Sequence, residues 1–223
     1  MRKTIKHFTS LFLVPVTRWY LRNERKYTYR GTTVTVLPGV FHPGLFYSTK
    51  FLIDYLHDQP IESKSMLELG CGTGLISIIA AKSGAEVTAI DLSLKAVENV
   101  KLNTLRHAVK IRIIHSDLFD SIERKAFDWI VINPPYYAGT PSNEEELAWY
   151  AGENFNYFRK LFKSLGEYAH ETTEIIMVLT KGSEVTKISA IGKENGFEFE
   201  LVKEKKVFFD EKDFLYRVVR LNG

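Results

Sequence analysis

From Ser65 onward the chain alternates between two hydrophobic periods. The runs "SMLELG", "EVTAID", "KIRIIHSD", "FDWIVIN" and "TEIIMVLT" are short, apolar and rich in branched residues, and they read as strands. Between and after them lie "GLISIIAAKSG", "SLKAVENVKLNTLRHA", "ENFNYFRKLFKSLGEYAH" and "SEVTKISAIGKENG", whose apolar positions recur at helical spacing. End signals agree: Ser93 caps one helix, and Gly84 and Gly196 stop two others. Two last runs, "FEFELVKEKKVFF" and "FLYRVVRLNG", are joined by "DEKD" and read as an antiparallel pair. Strands that alternate with helices need crossovers, so the fold class is α/β. The sheet has seven strands, mostly parallel, with an antiparallel C-terminal hairpin.

The first part of the chain is different. Residues 1–30 read as a short basic helical extension, followed by a domain spanning 31–223. "TTVTVL" alternates like a strand, and Thr49–His57 has a helical pattern carried by Phe51, Leu52, Tyr55 and Leu56. Charge sharpens the division. The first thirty residues hold eight Lys/Arg against the single acid Glu24, while the remainder has 22 basic and 26 acidic residues. Trp19, Tyr20, Tyr27 and Tyr29 interleave with those cations. Such a stretch suits contact with nucleic acid or with an acidic protein partner, and equally a solvated helix that packs its aromatics inward.

Composition excludes little beyond this. At 45% apolar residues the chain supports a sizeable core. No run approaches the ~18 apolar residues of a membrane span. The start imitates a signal peptide, but Pro15 and Arg18 interrupt it and no cleavage site follows. One cysteine, Cys71, rules out an internal disulfide, and six histidines lack ligand spacing, so no metal site is expected. Together these point to the cytoplasm.

Ligands of such sheets bind at the carboxyl ends of the strands. The first strand ends in "LELGCGTG", where Gly70, Gly72 and Gly74 permit a tight loop and Glu68 lies late in a buried strand. The bland reading is a glycine turn with a carboxylate satisfied by backbone. The functional one is a carboxylate beside a cationic ligand. The second strand ends in Asp91, followed by Leu92. A carboxylate there accepts bonds from ribose hydroxyls or merely opens the next helix. Asp117 and Leu118 follow the third strand and suit the amino group and face of an adenine, or an ordinary turn. The fourth ends in "NPPYY", from Asn133.

"ELGCGTG", "AID", "SDL" and "NPPY" together resemble the ordered motifs of class I S-adenosylmethionine (SAM) methyltransferases, with a Rossmann-like fold. "NPPY" implies methylation of a planar nitrogen. "STKFLIDYL", "LELGCGTG", "VINPPYY", "AWYAGENFNYFRKLF" and "MVLTKGSEVTKI" are similar in order and spacing to HemK-type glutamine methyltransferases acting on translation release factors. The resemblance implies SAM as cofactor, contacted by Thr49, Glu68, Gly70, Gly72, Gly74, Asp91, Leu92, Asp117, Leu118 and Asn133. It makes Asn133, Pro134, Pro135 and Tyr136 the catalytic segment. One departure is Ser48, where the family often has an acid. The substrate is then a protein such as a release factor. The alternative is RNA or DNA methylated at adenine N6 or guanine N2, which "NPPY" and the basic arm also suit. A non-enzymatic SAM-binding scaffold is the third reading.

The chemistry explains the motif. An amide or aniline-like nitrogen has a delocalised lone pair. The Asn133 side-chain oxygen and the Pro134 carbonyl can each accept one of its N–H bonds and stabilise growing positive charge. Pro135 biases residue 134 toward an extended form that presents its carbonyl. Tyr136 can stack on the planar group. Elsewhere Cys71 reads as a small filler, His42 as a turn histidine, Trp149 as a packing anchor and "PSNEEELAWY" as an acidic segment over the pocket.

Overall fold

The computed structural model describes residues 22–206 and 212–221. A two-stranded hairpin comes first, β1 (Arg25–Tyr29) with β2 (Thr32–Val36), followed by α1 (Tyr47–His57). The main unit then runs β3 (Ser65–Leu69), α2 (Leu75–Lys82), β4 (Glu86–Asp91), α3 (Leu94–His107), β5 (Ile111–His115) and β6 (Phe127–Ile132). It continues through α4 (Asn156–Leu165), β7 (Ala169–Thr180), α5 (Val185–Glu194), β8 (Phe197–Lys206) and β9 (Lys212–Arg220). The seven-stranded sheet has the order β5-β4-β3-β6-β7-β9-β8. The pairs from β5 to β7 are parallel, and β9 is antiparallel to both β7 and β8. This is the expected sheet.

Side-chain alternation sorts the two faces. Along β6, Ile130 and Ile132 pack with Phe158, Leu161 and Phe162 of α4 and with Ile188 of α5. Trp129 and Val131 point the other way, to Phe51 and Leu52 of α1 and Leu75 and Ile78 of α2. Residues two apart share a face, so one strand supplies both cores. The chain builds outward from β3 to β4 and β5, then returns to lay β6 on the other side of β3. That reversal opens a crevice at the carboxyl edge between β3 and β6.

Two differences from the sequence reading stand out. The helix expected over 1–30 meets a strand at Arg25–Tyr29, while residues 1–21 lie outside the described residues. Arg30 and Gly31 both take positive φ (44° and 72°) and close a two-residue turn between Tyr29 and Thr32. The alternation in "KYTYRGTTVTV" carries this signal, but the density of cations obscured it. Second, the helix expected to reach His170 stops at Leu165, and β7 begins at Ala169. Phe127 N donates to Tyr168 O at 3.0 Å, so β6 recruits that segment into the sheet. Among the described residues no helix is long and apolar enough to cross a membrane.

Buried asparagines tie the hairpin to the main unit. Asn103 of α3 accepts from Thr35 N (2.8 Å) and donates to Thr35 O (2.8 Å) and Thr73 O (3.0 Å). Asn99, one turn earlier, accepts from Leu37 N and donates to Thr35 O. Both are fully buried, and they satisfy strand-edge groups that β1 cannot reach. Asn103→Leu keeps similar bulk but strands two backbone groups, Thr35 N and Thr73 O, while Thr35 O keeps its bond from Asn99. We expect it to lower the unfolding free energy by about 2–4 kcal/mol, read from urea melts.

Candidate functional site

The loops after β3, β4, β5 and β6 surround one cavity of ≈ 310 Å³. Thr49, Glu68, Gly70, Gly72, Asp91, Leu92, Asp117 and Leu118 all line it, as do Asn133, Pro134, Pro135 and Tyr136. Gly74 does not. It has a φ of 76°, and a Cβ there would stand 2.9 Å from Val100 Cγ1, so its smallness lets α2 and α3 close on each other. Gly70 and Gly72 have positive φ too, but a Cβ on either meets nothing nearer than 4.0 Å. Their missing side chains leave space open rather than relieving a contact.

Backbone bonds hold the glycine loop against β4. Gly70 N and Cys71 N both donate to Ile90 O at 3.0 Å. Gly72 N donates to Asp91 Oδ2 at 2.8 Å, and Ser93 N donates to Asp91 Oδ1 at 2.9 Å. Burial pushes the Asp91 carboxyl up, and these two donors pull it back. Each oxygen retains a lone pair for a further donor. Burial also holds the Cys71 thiol far above its ordinary range, so it fills space and is not a nucleophile.

Glu68 is the unusual member. It points to the α1–α2 face of β3, is 3% exposed and accepts a bond from Ser77 of α2. Burial pushes its carboxyl from 4.5 up to about 8, with Ser77 partly opposing and the charge of Asp91 adding. A cation entering the cavity would reverse that shift.

At the β6 end, Asn133 Nδ2 donates to Thr49 Oγ1 at 3.3 Å. Thr49 lies in the first turn of α1, so two distant segments meet at Asn133. Tyr136 is 7% exposed and belongs to the core over α4, with the ring of Tyr137 edge-on at 4.8 Å. Packing occupies most of its ring. Asp117 is held by Lys160 Nζ at 2.7 Å, and Leu118 has a φ of 51°, which turns the chain back into the wall.

The segment after "NPPYY" folds over the cavity. Tyr137 N donates to Trp149 O (3.0 Å) and Ala151 N to Tyr137 O (2.8 Å), which closes a loop. Trp149 packs on Phe41 and Phe46 at ring distances of 5.2 and 4.7 Å, in the anchoring role read from sequence. The acidic stretch forms a 3-10 turn, Glu144–Ala148. Glu144 Oε1 accepts from Ser93 Oγ at 2.8 Å, a contact that charge pattern alone did not reveal. His42 accepts from Gly44 N at 3.1 Å, as a turn histidine does. Among the described residues no group of three or more His, Cys, Asp or Glu could hold a metal ion.

The donor set fits SAM on the geometry present. Ser48 Oγ and Tyr157 Oη are buried in the cavity wall without protein partners. Burial raises the Glu68 carboxyl, a shift a cation would offset, and Asp91 has acceptor capacity left. Sequence reasoning missed Tyr157, Lys160 and Phe41. Tyr157 and Lys160 lie one turn apart on α4, far along the chain from Asp117, and no local pattern marks them.

Glu68 makes a pH prediction. Its raised value means that stability is full below about pH 4.5 and is lost as pH rises through about 8. Glu68→Gln removes that slope. Urea melts of both proteins at pH 5, 6.5 and 8 should show the variant gaining on the parent by a few kcal/mol across the window. Parallel pH curves would contradict the burial argument.

The family profile of the methyltransferase small domain matches residues 31–168. A Methanocaldococcus jannaschii protein, provisionally named a protein N5-glutamine methyltransferase, is 38% identical over 117 residues, covering 52% of this chain and 55% of its own. Ribosomal RNA small subunit methyltransferase C of Escherichia coli is 32% identical over 117 residues, covering 51% and 33%. The chain therefore spans less than two thirds of the length of these curated relatives. The T. thermophilus 16S rRNA guanosine-N2 methyltransferase, solved with AdoMet and guanosine, superposes with a TM-score of 0.63 at 21% identity, covering 87% of this chain and 50% of that one. The family profile spans more than half of the residues, and this chain belongs to the methyltransferase small domain family.

Proposed function

We propose that the protein transfers a methyl group from SAM to a planar nitrogen, and that the acceptor is the side-chain amide of a protein glutamine. One observation carries the transfer reading. Asn133, Pro134, Pro135 and Tyr136 line the same cavity as the glycine loop and Asp91, and the Asn133 amide is already oriented. The glutamine reading rests on the HemK-type motif order and on the 38% identical relative.

SAM, when bound, supplies an electrophilic sulfonium methyl. This chain's residues do the rest. Asp91 accepts ribose hydroxyls while it holds Gly72. Asp117, fixed by Lys160, takes the adenine amino group, and Leu92 and Leu118 supply apolar walls. Gly70 and Gly72 leave room beside backbone, and Glu68 answers a positive charge. Thr49 engages one N–H of Asn133, which leaves Oδ1 as an acceptor. Oδ1 and the Pro134 carbonyl then accept the two N–H bonds of the target nitrogen and stabilise its developing charge. The loop clasped by Trp149, Phe41 and Phe46 keeps water from the site.

The RNA reading has its own support in the 32% identical ribosomal RNA enzyme and in the eight cations of residues 1–30. On either reading such a basic segment suits an acidic partner. The two substrates separate in one assay. Purified protein and labelled SAM are added to an extract of cells lacking this chain, and the product is split between protease and nuclease. Release of label by protease alone supports a protein acceptor, and release factors are then assayed directly. Release by nuclease alone supports RNA or DNA, in which case removal of residues 1–21 should weaken RNA binding and flatten its salt dependence.

Asn133→Ala tests the mechanism. We expect turnover to fall at least ~100-fold, as for loss of one charge-stabilising acceptor, with SAM affinity by calorimetry changed only a few-fold. Normal turnover would sink the acceptor pair.

A further inference from the structure

Tyr157 carries a buried hydroxyl that bonds to nothing in the protein. It sits in the first turn of α4, and its ring packs edge-on against Phe158 at 5.2 Å and 82°. Its backbone N donates to Ala151 O at 2.9 Å, so its position is fixed from both ends. The hydroxyl is inaccessible to water and has no hydrogen-bond partner in the protein. Neighbouring α4 positions facing the same core are Phe158, Leu161 and Phe162. Phenylalanine would fill the site equally well and avoid the cost of an unbonded buried hydroxyl.

The hydroxyl has a location as well as a vacancy. Tyr157 lines the cavity beside Asn156 and Lys160. The carboxylates of Asp91 and Asp117 both act on it and, with burial, hold the phenol protonated. Those acids end β4 and β5, on one side of β3, whereas Asn133 and Thr49 stand at the β6 side. Lys160, three residues on along α4, is bonded to Asp117 at 2.7 Å, which sets that face of α4 at the Asp117 end of the cavity. Asp91 and Asp117 bring acceptors to that end, and a neutral phenol beside them brings a donor.

We propose that Tyr157 is a cofactor-recognition residue whose hydroxyl donates to an acceptor atom on the nucleoside half of SAM. The proposal rests on the SAM reading above and adds a contact to it. The protein offers that hydroxyl no partner, and the nucleoside would supply one.

Tyr157→Phe removes the hydroxyl and keeps the ring. Calorimetry with SAM, S-adenosylhomocysteine and 5′-methylthioadenosine, which lacks the amino-acid end, separates the halves of the ligand. All three dissociation constants should rise by the same factor, about five- to tenfold. The melting temperature of the ligand-free variant should equal or exceed that of the parent, because nothing bonded has been lost. Changes within twofold for all three ligands would overturn the proposal. So would weakening of SAM and S-adenosylhomocysteine with 5′-methylthioadenosine unaffected, or a lowered ligand-free melting temperature, which would reveal a structural bond. Asp91→Ala serves as the control. If the parent binds and Asp91→Ala is weakened while Tyr157→Phe is not, only the Tyr157 assignment fails. If the parent binds none of the three ligands, the SAM reading fails with it.

Discussion

The site depends on the carboxylate that ends β4. Asp91 takes one backbone N–H from the glycine loop and one from the start of α3. That side chain extends to Gly72 the hold that Ile90 O already has on Gly70 and Cys71. Without it, Gly72 could follow several paths, because glycine imposes little of its own. With it, the loop is drawn against β4, and α2 and α3 begin from a common point. The same two bonds leave each of its oxygens able to accept a further donor. A change at Asp91 acts on the glycine loop and on the cavity wall together.

Glu68 shows the opposite balance. A buried carboxylate beside another acid weakens the ligand-free fold at neutral pH, and only Ser77 moderates this. The partnerless hydroxyls of Ser48 and Tyr157 add to the same side. A cavity lined by unmet acceptors and donors is unfavourable when empty and favourable when filled by a cation with polar substituents. The strand ends carry these costs, while the apolar faces of β6 and β7 carry the fold.

Closure of the cavity comes from segments far apart in sequence. Phe41 and Phe46 lie before α1, and Trp149 follows the catalytic motif. Ser93 and Glu144 add a polar latch on another side. The motif therefore sits under a cover that its own downstream chain supplies. Thr49 anchors it from below through the start of α1, which makes the β1–β2–α1 region part of the site and not an appendage to it.

Much of this was legible in the chain. Period-two runs, helical runs and their Ser and Gly punctuation set the order of elements, because those signals are local. The strand-end residues Glu68, Asp91, Asp117 and Asn133 were legible because parallel sheets bring all carboxyl ends to one edge. What the sequence did not show was set by distance. Asn103 reaching Thr35, Lys160 reaching Asp117 and Tyr157 sharing a cavity wall with Asp91 join residues dozens of positions apart, with no periodic trace. The strand at Arg25–Tyr29 was hidden by its charges, since β propensity is decided by packing on a neighbour more than by the segment itself. Gly74 shared the loop pattern with Gly70 and Gly72, yet only packing against Val100 assigned it to the helix contact and the other two to the cavity. Sequence thus determined which chemistry stands at the strand ends. Tertiary packing decided which of those groups are buried, partnered or left waiting, because burial and partnership belong to the folded surface and not to the segment.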